Sequence, residues 1–362
     1  MKKKIIIFLL VLGIIYNFFK SYKLFDFKKI LNNKFDLKKY EKLYNQSQWV
    51  ISKSKNPIGD DILYTYAGTK YILGENIILI NSEHPPLGKN LIGLSGIYLK
   101  NEYYFSLLSG ILTIFSFYLL TTLVLKEKLI SLLLSIFLFF EPVFVVNYFL
   151  TLLDLLTFSF LNFYFYFLIK STNSKNYLLI FLSNFFLGLI ISTKFYALWL
   201  PIFLTTIVYF FVNKNLKTLI YYLFGQIITL TVFILNYFQY FARGYNFIDF
   251  LKLQKYIFIF NQEGRKEFVF LNNSLFLLLF KGEFFINLKQ TIKESLFSIF
   301  WPISTIITLI SFFIKKIFLS PITLWIIIYS LTQIYSITNV RYLMLLIPYL
   351  YLTSIFILKP YK

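Results

Sequence analysis

The sequence predicts an all-α polytopic membrane protein, with about ten transmembrane helices and a long first extracytoplasmic loop. Three observations carry that expectation. Of 362 residues, 58% are hydrophobic and 14% charged, and mean hydropathy is +0.69. A soluble domain carries about 25% charge and cannot hide so much apolar surface. The apolar residues also fall in repeated runs of about 17–24, enough at 1.5 Å per residue to cross a ~30 Å hydrocarbon core. Short basic connectors separate those runs.

Taken in order, Lys2-Lys3-Lys4 precedes an apolar run from Ile5 to Phe19. No small-x-small cleavage site follows, so the run reads as an uncleaved first span with a cytoplasmic N-terminus. Residues 21–100 carry scattered lysines, amphipathic patches such as Phe35 to Tyr44, and turn signals at Asn56-Pro57 and Pro85-Pro86. They read as a polar loop outside the membrane. Further spans are expected near 103–125, 129–147, 150–169, 177–193, 195–212, 218–241, 296–314, 318–336 and 342–358. The connectors are Lys126-Glu127-Lys128, Lys170 to Lys175, Asn213 to Lys217, Lys315-Lys316 and the tail Lys359 to Lys362. All five fall on the cytoplasmic side, as the positive-inside rule requires, with both termini inside. A second polar stretch, 242–295, then faces outside, and residues 1–362 read as one membrane domain without a separate soluble domain.

Composition excludes several classes. Aromatic content of 22% excludes disorder. The absence of cysteine excludes a disulfide scaffold, a thiolate metal site and a cysteine nucleophile. One histidine, His84, excludes multi-histidine metal motifs. The net charge of +20 comes from 36 Lys+Arg against 16 Asp+Glu. Its distribution between apolar runs points to an anionic leaflet of the lipid bilayer and to no nucleic-acid partner.

Ionisable groups inside a span cost free energy and mark candidate sites. Glu141 and Asp154 are the two carboxylates well inside the later spans, both in outer halves. Lys194 and Arg341 stand at outer span ends, and Asp60, Asp61, His84 and Lys89 lie in the first outer loop. Polar chemistry therefore converges on one face. Structural roles stay open at each position: Glu141 beside Pro142 at a kink, Asp154 in helix pairing, Lys194 and Arg341 as snorkelling anchors, Asp60-Asp61 as a helix cap.

Asp60-Asp61-Ile62-Leu63-Tyr64-Thr65-Tyr66-Ala67, followed by His84-Pro85-Pro86-Leu87-Gly88-Lys89, resembles the first outer loop of protein O-mannosyltransferases (glycosyltransferase family 39). The related aminoarabinose transferases share the resemblance. Weaker similarities follow at Phe139-Phe140-Glu141-Pro142, Leu152-Leu153-Asp154, Ser192-Thr193-Lys194-Phe195, Phe250 to Gln254 and Arg341-Tyr342-Leu343. The family's arginine shortly before the fourth-span Asp is absent, and Tyr148-Phe149-Leu150 stands there.

The resemblance implies a GT-C fold. It also implies inverting transfer of a mannose-like hexose from a polyprenyl-phosphate donor to a hydroxyl acceptor: protein Ser/Thr, a glycolipid or a polysaccharide. A hydroxyl is a poor nucleophile, so a carboxylate must take its proton, and Asp60 is the expected base. The leaving phosphate needs cations; Lys194 and Arg341 are the first candidates, with Arg243 and Lys89 behind them. His84 would hold sugar or acceptor. Asp61, Glu141 and Asp154 would orient the base, bind sugar hydroxyls or hold a divalent cation. A proton-coupled transporter and an inactive scaffold are the competing readings.

Overall fold

The computed structural model describes residues 2–263, 274–287, 290–314, 320–334 and 339–358. Within them the chain is helical almost throughout. The first apolar run forms α1 (Lys2–Ser21), and Ile5, Phe8, Leu9 and Leu12 stand exposed along it. A helix that presents such side chains outward requires an apolar surround.

The expected polar loop that follows is largely helical: α2 (Phe27–Leu31), α3 (Leu37–Asn45), α4 (Asp60–Ile72), α5 (Ile77–Ile80) and α6 (Pro86–Leu99). Leu63, Tyr64, Ala67, Tyr71 and Ile92 are buried there, so this cap is packed into the same continuous core as the helices that follow. α4 and α6 cross at backbone contact. A Cβ on Gly68 would lie 1.9 Å from the Lys89 carbonyl oxygen, and one on Gly93 2.2 Å from the Gly68 carbonyl oxygen. Only glycine permits that approach.

The chain continues with α7 (Tyr103–Leu125), α8 (Lys128–Phe139), α9 (Pro142–Tyr148), α10 (Asp154–Ser174), α11 (Leu178–Thr193), α12 (Trp199–Val212) and α13 (Leu216–Leu235). Next come α14 (Phe238–Ala242), α15 (Phe247–Glu263), α16 (Ser274–Lys281), α17 (Phe300–Ile314), α18 (Pro321–Ile334) and α19 (Ile347–Leu358), with a 3₁₀ stretch at Val340–Leu345 before the last. Among the described residues three helices are long and apolar enough to cross a bilayer: Lys3–Leu24, Tyr103–Leu125 and Leu216–Leu235.

The expected 129–147 span is broken, and α8 and α9 meet at 67°. Pro142 cannot donate to the preceding turn and pushes Glu141 into an extended conformation (φ −61°, ψ 124°). Leu178–Thr193, Tyr196–Val212, Phe300–Phe312, Pro321–Ile334 and Val340–Phe356 are apolar but shorter. The connector Lys315-Lys316, the tail Lys359 to Lys362 and residues 264–273 lie outside the described residues.

The described residues also hold one short antiparallel hairpin, β1 (Glu283–Asn287) with β2 (Gln290–Lys293), in which Phe284 pairs with Ile292. Its alternating pattern is too short to stand out beside the long apolar runs. Buried polar side chains tie the helices together. Thr113 and Ser159 hydroxyls lie 2.8 Å apart between α7 and α10, and Tyr349 of α19 donates to Asn162 Oδ1 at 2.9 Å. Such pairs hold helices where water is scarce.

Candidate active site

Gly59, extended at φ −78° and ψ 168°, leads into α4, and Asp60 and Asp61 form its first turn. Carboxylates are favoured there by the unpaired N–H groups and the helix dipole. Asp60 Oδ2 accepts a 2.6 Å hydrogen bond from Arg341 Nη2 across 281 residues of sequence. Their side chains are 39% and 25% exposed, so the pair is open to a small substrate. Asn339 Oδ1 caps the 3₁₀ stretch by accepting from the Arg341 backbone N–H at 3.0 Å, which fixes the base of the arginine.

A second ion pair joins Lys194, just past the end of α11, to Asp154 at the start of α10. Asp154 is buried and Lys194 nearly so. Lys194 Nζ also lies 4.7 Å from the centre of the Tyr342 ring. Residues 341 and 342 therefore touch both pairs, one to each.

The His-Pro-Pro-Leu-Gly-Lys segment packs beside them for steric reasons. A Cβ on Gly88 would sit 2.6 Å from Leu153 and 3.1 Å from Thr193, the neighbours of Asp154 and Lys194. Tyr64, one turn after Asp60, meets the His84 ring edge-on at 5.8 Å. Burial, and then Lys89 and Lys194, push the His84 imidazolium down to about 3, so His84 is neutral at ordinary pH. It can hold a hydroxyl but carries no charge. Neighbouring Glu83 is pushed up to about 7 by burial, against the opposing pull of Asn81 and Lys89.

Other sequence candidates fall elsewhere. Lys89 is fully buried and donates to the Asn81 carbonyl oxygen at 2.6 Å and to Asn81 Oδ1 at 3.0 Å. It staples the loop before His84 rather than reaching the ion pairs. Arg243 is an exposed residue at the end of α14, and the structure does not bring it into the cluster. Glu141 is buried, and its carboxylate accepts from Trp301 Nε1 at 2.8 Å, Tyr351 OH at 3.0 Å and Asn17 Nδ2 at 3.1 Å. It fastens α17, α19 and α1 around the α8–α9 bend. Both of its oxygens are engaged by donors from these helices.

The Asp61 carbonyl oxygen accepts from Thr65 and Thr151 hydroxyls at 2.7 and 2.8 Å, tying α4 to the segment that leads to Asp154. Its charge is felt at Tyr40 and Tyr103, away from Arg341. Among the described residues no three His, Asp or Glu side chains gather closely enough to hold a metal ion. Asp61, Glu141 and Asp154, each left between orienting the base, binding sugar hydroxyls and holding a cation, do not come together as such a group.

No family model, curated protein or solved structure matches this chain. The site stands on its geometry.

Sequence reasoning passed over Tyr64, Glu83 and Tyr342. Each is adjacent to a candidate, in sequence or by one helical turn, and that adjacency was the available signal. It also passed over Lys29, whose Nζ donates to the Phe149 carbonyl oxygen at 3.0 Å. The cap thereby brings a cation to the 148–150 segment that carries none of its own.

The arrangement is chemically specific. Two carboxylates and two cations share one corner, and their charges cancel. One carboxylate is accessible, and each cation is already paired.

Proposed function

We propose that the chain is an integral-membrane glycosyltransferase with a GT-C-like, ten-span architecture. In this reading it moves a mannose-like hexose from a polyprenyl-phosphate donor to a hydroxyl acceptor, with inversion, on the extracytoplasmic face of a cell membrane. The acceptor class assigned is a protein Ser or Thr. The observation that carries the proposal is the meeting of Asp60 with Arg341 at 2.6 Å, beside the complete His-Pro-Pro-Leu-Gly-Lys motif.

In this account Asp60 takes the proton from the acceptor hydroxyl as its oxygen attacks the anomeric carbon. Arg341 and Lys194 receive the lipid phosphate, an oxyanion that charge-assisted hydrogen bonds hold at short range. Asp154 keeps Lys194 aimed. Neutral His84, held against Tyr64, orients a sugar or acceptor hydroxyl, and orientation of this kind lowers the barrier without new charge. Asp61 anchors the loop through its backbone.

Membranes containing the protein, supplied with radiolabelled polyprenyl-phosphate hexoses, test the proposal. Transfer of label to a hydroxyl acceptor with release of lipid phosphate is the expected result. Uptake of intact label across the bilayer would favour a transporter instead, and neither transfer nor uptake would leave a scaffold.

A further inference from the structure

The charge count at the site raises a problem that its geometry answers. Asp60 and Asp154 cancel Arg341 and Lys194, so the resting corner offers an incoming phosphate no net positive charge. A cation must change partners for the phosphate to be held. Asp154–Lys194 is poorly placed for that, because Asp154 is 4% exposed and cannot be rehydrated. Asp60–Arg341 is better placed, since both side chains reach solvent and the bond uses a single guanidinium nitrogen, Nη2. The rest of the planar fork is available to a second oxyanion.

Resting on the glycosyl-transfer reading above, we infer that the Asp60–Arg341 ion pair is a charge switch: protonation of Asp60 by the acceptor hydroxyl hands Arg341 to the leaving phosphate. The balance is complete. The acceptor O–H proton moves to Asp60, and the acceptor oxygen forms a bond to the anomeric carbon. The anomeric carbon–phosphate oxygen bond breaks, and its electron pair stays on the phosphate. Asp60 goes from −1 to neutral while the lipid phosphate goes from a singly charged diester to a doubly charged monoester. Arg341 would otherwise be left partly buried without its direct ion-pair partner, facing only Asp154, which Lys194 already holds, and that is costly. The new charge on the phosphate appears as the old one on Asp60 disappears, so base and leaving group are coupled through one side chain.

The inference makes an unusual demand, which binding alone can test. Asp60→Asn imitates protonated Asp60, so it should bind the leaving group more tightly while losing turnover. Purified full-length protein in detergent is titrated with farnesyl phosphate at pH 8, where the probe is a dianion. Asp60→Asn is expected to bind about tenfold more tightly than wild type, the scale of one charge-assisted hydrogen bond released from a competitor. Asp60→Glu, which keeps the pair, should bind as wild type does. Asp61→Asn makes the same charge change one residue away without freeing Arg341, and should shift affinity little. Adding Arg341→Gln to Asp60→Asn should erase the gain.

If Asp60→Asn does not aggregate but binds no better than wild type, the switch is wrong and the phosphate site survives. A gain that persists with Arg341→Gln, or that Asp61→Asn reproduces, also overturns it. Absence of farnesyl phosphate binding in wild type and every variant with a wild-type melting profile overturns the phosphate site itself, and the glycosyl-transfer reading with it. Asp60→Ser replaces Asp60→Asn should the latter fail to fold.

Discussion

Glu141 and Asp154 are both buried carboxylates, and their partners separate their roles. Asp154 faces a cation at a site open on one side, whereas Glu141 faces three neutral donors on three helices. Removing Glu141 leaves Asn17, Trp301 and Tyr351 without their acceptor, so Glu141→Ala should destabilise the protein by about 3 kcal/mol. Thermal unfolding in detergent checks this, and activity per folded molecule should stay near wild type.

His84 and Glu83 give opposite pH signatures. Burial lowers the His84 value to about 3, so its contribution is full above its ordinary value near 6.5 and is lost as pH falls below it. Glu83 is raised to about 7, so its contribution is present in acid and lost as pH rises toward 7. Acidifying from pH 7.5 to 5 should therefore stabilise His84→Gln and destabilise Glu83→Gln relative to wild type. At about 1.4 kcal/mol per pH unit the effect is at most about 2 kcal/mol for His84 and at most about 3 kcal/mol for Glu83. Melting temperatures at the two pH values read the difference, and equal slopes in all three proteins would refute the assignment.

At this scale Asp60, Lys194, Arg341 and His84 were visible as polar residues gathered at one boundary. The partners of Lys89 and Glu141 were not visible, because Asn81 lies in a loop and Asn17, Trp301 and Tyr351 come from opposite ends of the chain.

At the scale of elements, the α4–α6 crossing decides whether the site forms. It sets Asp60, at the start of one helix, beside the His84–Lys89 segment that opens the other. Gly93→Ala puts a methyl group 2.2 Å from the Gly68 carbonyl oxygen, a distance that backbone cannot absorb without separating the helices. A loss of more than about 2 kcal/mol is expected, in the upper range for overpacking. Proteolysis of the cap should rise with it, and wild-type stability in Gly93→Ala would contradict the crossing. α1, α7 and α13 were legible in sequence because each is a long apolar run with few charges. α4 and α6 were not, since scattered lysines and prolines mark a loop while burial of Leu63, Tyr71 and Ile92 draws these stretches into helices. The break at Pro142 was legible as a kink but not as a 67° turn, because a bend angle depends on what packs inside it.

At the scale of the whole molecule, the proposed orientation places the cap outside and the short basic connectors inside. The chain contains no cysteine, so single introduced thiols report without background. Asn56 and Lys214 are both exposed, one in the cap and one in a connector. Asn56→Cys should react with a membrane-impermeant maleimide in intact cells, and Lys214→Cys only after lysis. The reverse pattern would turn the site toward cytosolic donors.

The central claim is that Asp60 takes the acceptor proton, and one comparison tests it most directly. Wild type and Asp60→Asn are reconstituted in liposomes with a polyprenyl-phosphate hexose and a hydroxyl acceptor, and single-turnover transfer is measured. Asparagine keeps the shape of the side chain but cannot accept the proton, so the rate should fall at least ~100-fold, the low end for loss of a general base. Transfer by Asp60→Asn at the wild-type rate would contradict the account.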